Sequence, residues 1–394
     1  MFKDDVTPDD SLLEQIFTTN QPRTISVFLQ NWDKCVFKAG FQDHRSTCVV
    51  RLEAENESPR SFPMVAAMQQ IAATITPEII PRTFRVGKAH NAQGRKFHFS
   101  VNEFVEGDVL EDVWHQMSAG EHSAVVTELV EALEKLHSVR LSDKGVKEIV
   151  NKTLRENGDE VPESLEQPGV FGGPHTGFVN GGLALLHCIM ERRQLKKPFC
   201  TVETIVDSPD IKVQSNFQEL GLVTLKKSDI DVWPGEAVFC HNDLTPRNII
   251  LQKHDPSSGK ATRKLAGIID WELAGFYPAS YELSLQDTYP GANRHLSFYV
   301  LLKEHMQKLV PRSSSQIVLL QAMELIFESQ QRSLLEGTNV PAHIRKRLME
   351  KSKMVRHKDP YVGWTRSQQD EPFPDSAAIQ KLENDVVKEM AARK

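Results

Sequence analysis

Most of the features that would assign a chain of 394 residues to a class at once are missing. Cysteine is scarce and scattered: Cys35, Cys48, Cys188, Cys200 and Cys240 are an odd set of five, with no C-x-x-C pair among them. That spacing indicates neither a disulfide framework nor a zinc site, and it suits a reducing compartment. No long Lys/Arg tract occurs and the net charge is −6, which argues against nucleic acid as a partner. The longest apolar-looking run, Gly181 to Met190, is too short for a bilayer, so no membrane association is expected. The first ten residues, MFKDDVTPDD, are acidic and lack the apolar centre of a signal peptide. No internal repeat is visible. The expectation from these absences is a soluble, cytoplasmic protein. Its oligomeric state is not legible.

The composition, 40% apolar and 25% charged, is that of an ordinary globular protein with length enough for two lobes or domains. Residues 1–22 read as a polar leader with a short helix near Ser11 to Phe17. Lys34 to Phe41 and Ser46 to Leu52 read as the arms of a hairpin, joined by the polar Gln42-Asp43-His44-Arg45. Met64 to Ile75 reads as a helix, Ile79-Ile80-Pro81 and Thr83 to Val86 as the start of a strand region, and Lys96 to Phe104 as a strand. After the turn at Glu106-Gly107-Asp108 the pattern becomes mostly helical. Val125, Leu129, Leu133 and Leu136 mark one face of a helix over His122 to His137. Residues 139–168 are charged and read as a surface excursion. Gly169 to Gly182 holds six glycines and reads as a flexible loop. It lacks a Gly-Lys-Ser/Thr ending and a clear preceding strand, which argues against a P-loop and leaves a role on the substrate side open. Helices follow over Gly181 to Arg193, Arg294 to Val310, Ser315 to Leu335 and Ala377 to Arg393.

One segment carries specific chemistry. Val238-Phe239-Cys240-His241-Asn242-Asp243-Leu244-Thr245-Pro246-Arg247-Asn248-Ile249-Ile250-Leu251 sets a His, an Asp and an Asn at fixed offsets between two apolar runs. Nineteen residues beyond Leu251, Ile268-Ile269-Asp270-Trp271-Glu272 ends another apolar run on a second carboxylate. Two Asp and one Asn on adjacent strands and turns can hold a hydroxyl nucleophile and Mg²⁺ around one phosphate. Protein kinases use that arrangement, with the same five-residue interval from Asp to Asn and a His two residues before the Asp. The plainer reading, a buried His with capped turns, does not account for a strand on each side and Ile-Ile-Asp following at a short interval.

The eight residues His241 to Asn248, with Ile269-Asp270-Trp271-Glu272, resemble the aminoglycoside phosphotransferase family. The longer run Gly267 to Pro278 is similar to its fungal members. The resemblance extends from about Val27 to about Glu282. It implies an α+β, bilobal, protein-kinase-like fold, with a small β-rich N-lobe over residues 23–105 and a larger, mostly helical C-lobe over residues 106–394. It also implies ATP and Mg²⁺ as cofactors and a hydroxyl-bearing small molecule, an amine among the options, as acceptor.

Asp243 is then the candidate general base, and Asn248 and Asp270 are the candidate Mg²⁺ ligands. His241 belongs with the catalytic loop, its ring read as a brace on nearby backbone. Arg51, in Cys48-Val49-Val50-Arg51-Leu52, falls on the strand that carries the phosphate-pairing Lys in kinases. Arginine keeps its charge and can pair bidentately with phosphate. Asn102, Glu103, Phe104 and Val105 fall where backbone groups would bond an adenine. Glu272 and Glu282 are candidates for holding a cationic amine on the acceptor, or for capping the helix near Pro278. Two kinase features are absent: a glycine-rich phosphate loop before Cys48, and an acid in Phe62 to Met68 to pair with Arg51. Glu53, Glu55 or Glu57 could stand in for that acid. Their absence keeps a second expectation open, a catalytically weak or inactive binding or regulatory protein. No Asp-Phe-Gly or Ala-Pro-Glu occurs, which disfavours a protein kinase.

Overall fold

Strand periodicity sets the first element that matters. In Cys48–Ala54 (β3) side chains alternate between faces: Cys48, Val50, Leu52 and Ala54 are buried, while Val49, Arg51 and Glu53 point to the other side. The computed structural model describes residues 5–42, 47–55, 61–254, 262–292, 294–368 and 372–392. Residues 43–45 of the hairpin connection and Glu57 lie outside them.

The chain forms two compact units. The first comprises Met1–Val109, Ser142–Glu163 and Asn248–Ala274. Its main sheet is antiparallel, with Thr24–Gln30 (β1), Lys34–Gly40 (β2), β3, Thr83–His90 (β4) and Lys96–Glu103 (β5) in the order β1-β2-β3-β5-β4. The expected hairpin is the β2–β3 pair. Ile79–Pro81 is not strand; the chain turns there and β4 begins at Thr83. One face of the sheet is covered by Asp10–Ile16 (α1), whose Leu12, Leu13 and Ile16 join Phe37, Val50, Leu52, Phe97 and Phe99 in one core. The polar leader is therefore anchored by a helix packed into this unit.

Phe62–Ile75 (α2) starts at Ser61, whose hydroxyl accepts from Met64 N–H, with a proline in its first turn. It packs against the helix Lys144–Glu156. That helix corrects the expected surface excursion over 139–168: Val146, Val150 and Leu154, four apart, are buried in an otherwise charged stretch. A sheet of Asp108–Val109, Ile249–His254 and Thr262–Ile268 completes the unit. Gly107 enters it at φ +150°, where a Cβ would meet Leu251 O at 2.3 Å, so only glycine fits the turn.

The second unit comprises Leu110–Leu141, Ser164–Arg247 and Gly275–Lys394. Ala119–Leu136 begins with a capping box between Ser118 and Glu121 and buries Val125, Leu129, Leu133 and Leu136 as their spacing predicts. The glycine-rich segment is not a flexible loop. Val170–Gly173 and Gly177–Asn180 form a hairpin that joins Gly275–Pro278 and Ala237–Cys240 in one four-stranded sheet. Gly172 lies at φ +114° with Gly177 O 2.2 Å from the position of a Cβ, so the glycines serve close strand pairing rather than mobility. The helices Gly182–Arg192, Leu296–Met306, Ser314–Glu336 and Ser376–Ala392 fall where periodicity put them. Cys200–Thr204, Ile211–Ser215 and Leu222–Leu225 form a further three-stranded sheet. Among the described residues no helix is long and apolar enough to cross a membrane.

Candidate active site

In the first unit a cavity of about 530 Å³ collects most of the predicted residues: Arg51, Asn102 to Val105, Asn248, Asp270 and Glu272 all line it. Its remaining walls are largely apolar, with Phe28, Val36, Val49, Ala66 and Ile250 among them. Phe28 and Phe104 lie nearly parallel, centroids 6.3 Å apart, and Lys38 Nζ sits 3.9 Å over the Phe104 ring.

Strand pairing brings Asn248 and Asp270 together. Ile249 pairs with Ile268, and Ile269 N–H donates to Asn248 O at 2.9 Å, so the two turns leave the ladder side by side. Asp270 adopts the left-handed conformation, φ 63° and ψ 67°. That is uncommon outside glycine, and Asp tolerates it better than most residues.

Arg51 reaches Asp270 Oδ1 through Nη1 at 3.1 Å, Glu53 Oε1 through Nε at 2.8 Å, and Glu272 Oε2 through Nη2. Lys34 Nζ also reaches Glu53, at 3.0 Å. Burial alone would lower the Arg51 pKa, but Glu272, Glu53 and Asp270 together raise it, so its charge is secure. Burial likewise works against the Glu53 carboxylate, and Arg51 and Lys34 outweigh it. The acid missing from α2 is thus supplied by Glu53, two residues along the same face of β3, and by Glu272 from the turn after Asp270. Glu272, expected either to hold an acceptor amine or to cap the helix near Pro278, has its carboxylate engaged by Arg51.

The side chains of Asn102 and Glu103 serve the sheet. Asn102 Oδ1 accepts from Thr83 Oγ1 at 2.8 Å, and Glu103 pairs with Arg82 at 3.1 Å. Glu103 N–H and Phe104 N–H donate to Arg82 O and Thr47 O.

The second unit holds the loop after Ala237–Cys240. Its strand is buried throughout and pairs with Gly275–Pro278. His241 is fully buried, and its Nδ1 accepts from Asp243 N–H at 3.1 Å, so the ring braces the loop. Asn242 is left-handed, φ 63°. Glu282, on the buried helix Ala279–Leu285, accepts from His241 N–H at 2.7 Å and Asn242 N–H at 2.8 Å through Oε1, while Oε2 meets His137 Nε2 at 2.9 Å. Glu282 has no exposed surface, which rules out the expected contact with an acceptor amine. It fixes the strained turn instead. Asp243 Oδ2 accepts from Arg247 Nη2 at 3.2 Å and Oδ1 from the Tyr289 hydroxyl at 3.1 Å. Sequence reasoning missed His137 and Tyr289, because neither belongs to a motif around the loop.

Burial pushes the Glu282 pKa up, but the hydrogen bond and charge of His137 and the Asn242 N–H hold it below the ordinary value. A depressed carboxylate contributes stability that is present above the unfolded pKa, about 4.3 for Glu, and is lost as pH falls through the folded value. Glu282→Gln keeps an acceptor oxygen and loses the charge. It is expected to cost about 1.5–3 kcal/mol at pH 7. In thermal melts across pH the gap to the wild type should shrink as pH falls below the ordinary carboxylate range, toward the depressed folded value at which the wild-type carboxyl protonates. A gap that widens at low pH would contradict the assignment.

No curated protein shows a significant match to the chain. Among solved structures it is similar to a thermostable mutant of aminoglycoside phosphotransferase APH(4)-Ia in ternary complex with AMP-PNP and hygromycin B. Identity is 15%, the TM-score is 0.50, and 86% of this chain and 96% of that chain are covered. The GDP and kanamycin complex of APH(2")-IIIa covers 95% of this chain and 97% of its own at 14% identity, with a TM-score of 0.40. The first likeness establishes the α+β, kinase-like fold. Residues 24–286 match the model of the phosphotransferase enzyme family, and the chain belongs to that family.

Proposed function

We propose that the protein phosphorylates a hydroxyl of a small molecule at the expense of ATP. The observation that carries this reading is the convergence of Asn248 and Asp270 on the cavity that Arg51 enters, at the interval from Asp243 that phosphoryl transfer needs. The base would lie among the apolar walls near Phe28 and Phe104. Glu103 N–H and Phe104 N–H are engaged in the sheet, so the base would meet other backbone groups of the 102–105 segment. Arg51 would pair with the phosphates.

The donor set fits Mg²⁺. A carboxylate from Asp270 and an amide oxygen from Asn248 are hard ligands, and the neighbouring Glu272 adds negative charge. Held by these residues, Mg²⁺ would supply charge neutralisation for the phosphates. Asp243 would take the acceptor's proton as its oxygen bonds to the γ-phosphorus and the bond to the β-phosphate oxygen breaks, releasing ADP. Most of the rate enhancement would come from positioning and charge stabilisation.

The similar structures hold hygromycin B and kanamycin, and fold does not fix substrate. ATP turnover over a panel of amino alcohols and aminoglycosides, with calorimetric ATP binding, is the test. Binding without turnover of any acceptor would favour a non-catalytic regulatory protein on this fold.

Arg51→Ala should raise the KM for ATP about tenfold or more. It removes a charged partner of the phosphates and takes away the guanidinium that Glu53, Asp270 and Glu272 share. The acceptor KM should stay within about threefold, under roughly 0.7 kcal/mol. Steady-state kinetics with each substrate varied in turn decide it. A defect confined to the acceptor would remove Arg51 from the nucleotide side.

A further inference from the structure

The Asp243 carboxylate is gripped from a residue outside the stretch that matches the family model, which ends at residue 286. The Tyr289 hydroxyl lies 3.1 Å from Asp243 Oδ1 and 3.3 Å from Asn242 O. With Arg247 on Oδ2 at 3.2 Å, each carboxylate oxygen of Asp243 has a donor. The opposite side of the same turn is held by Glu282.

The tyrosine is itself fixed. Its ring stacks on Tyr299, centroids 5.2 Å apart and planes 24° off parallel. Tyr299 lies on the helix Leu296–Met306, and Lys303, one turn on, is buried and bonds Asp287. Arg356 Nη1 reaches the same Asp287 oxygen at 3.2 Å, so the segment leading to Tyr289 is tied by two cations. Burial and the nearby Asp243 charge push the Tyr289 pKa well up, so the phenol remains a donor.

We propose that Tyr289 is a positioning residue for the proposed phosphoryl transfer. Its hydroxyl holds the Asp243 carboxylate, through Oδ1, in the orientation that meets the acceptor's hydroxyl. This rests on the reading of Asp243 as general base. A carboxylate free to rotate would spend part of its time misdirected, and misalignment of a general base lowers kcat more than it weakens ground-state binding.

The test compares the full-length wild type with Tyr289→Phe, which keeps the ring and its stack. Tyr299→Phe is the control, because the buried Tyr299 hydroxyl has no hydrogen-bond partner among the described residues. With Mg²⁺ and ATP saturating, kcat for the acceptor best used by the wild type should fall about ten- to a hundredfold in Tyr289→Phe, the equivalent of one hydrogen bond to a charged group. The acceptor KM should stay within about threefold, ATP binding should be unchanged, the melting temperature should fall by no more than the loss of one buried hydrogen bond, and Tyr299→Phe should keep the wild-type kcat. The ¹³Cγ resonance of Asp243, assigned as the signal lost in Asp243→Asn, should move in Tyr289→Phe and stay in place in Tyr299→Phe.

An unchanged kcat, an equal loss in Tyr299→Phe, or a lower acceptor KM with kcat intact would overturn the proposal. The last outcome would mean that the hydroxyl only obstructs the acceptor. If the wild type phosphorylates nothing in the panel, the functional reading fails, and an unmoved Asp243 resonance then separately rejects the grip of Tyr289 on the carboxylate.

Discussion

Replacing Asp243 by Asn should cut phosphoryl transfer by roughly 10²- to 10⁴-fold while leaving ATP affinity within about twofold. The size follows from the role of general base proposed for Asp243. The separation from nucleotide binding follows from the cavity itself, whose lining residues do not include Asp243. The substitution is also conservative in packing. Asn keeps an oxygen where Tyr289 donates, and only one oxygen facing Arg247 becomes an amide. Melting temperature should change little, so lost activity would report on chemistry rather than on folding. Turnover of the best acceptor, measured beside calorimetric ATP binding, is the check. Near-normal turnover in Asp243→Asn would take this residue out of the mechanism.

Asp270→Ala should abolish Mg²⁺-dependent nucleotide binding. Its carboxylate is the one charged donor in the pair set beside each other by the Ile249–Ile268 register, and a hard dication depends on that charge. The structure adds a second consequence. Asp270 also holds Arg51, so its loss leaves the guanidinium to Glu53 and Glu272. ATP titrated with and without Mg²⁺ separates the two effects. The magnesium-dependent increment in affinity should vanish, while metal-free binding should stay measurable. Asn248→Ala, which removes a neutral ligand, should show a smaller loss of the same increment. An Asp270→Ala variant with an intact magnesium increment would refute the assignment.

The buried brace under the loop belongs to the same picture. Asn242 and Asp270 are both left-handed non-glycine residues at φ 63°, a conformation that persists only where the surroundings impose it. For Asn242 the surroundings are Glu282 and Tyr289. For Asp270 they are the strand register and Arg51. Strain at these two positions is the cost of presenting two carboxylates from short turns.

Much of this was legible in the amino-acid sequence. Asp243, Asn248 and Asp270 lie within twenty-eight residues, in segments bounded by apolar strands, so the chemistry proposed for them is written at fixed chain intervals. The β2–β3 hairpin, α2 and the long C-terminal helices follow from periods of 2 and 3.6 that each segment carries alone. Even the Glu53 partner of Arg51 was within reach, because residues two apart on a strand share a face. What local pattern could not show are the pairings between distant segments. Glu272 comes to Arg51 across 221 positions, His137 to Glu282 across 145, and Tyr289 to Asp243 across 46. Such contacts leave no periodicity, since each side chain satisfies only its own segment until the chain has folded. The two misread stretches have local causes. The helix Lys144–Glu156 carries Val146, Val150 and Leu154 at four-residue spacing, a stripe diluted by the charged residues around it, and Gly172 lies against Gly177 O within its own hairpin, a close approach that glycine content alone does not distinguish from a loop. Sequence determined which residues could carry out the chemistry. Tertiary structure decided which of them are held in place and by what, because a buried charge is stable only where folding brings it a partner.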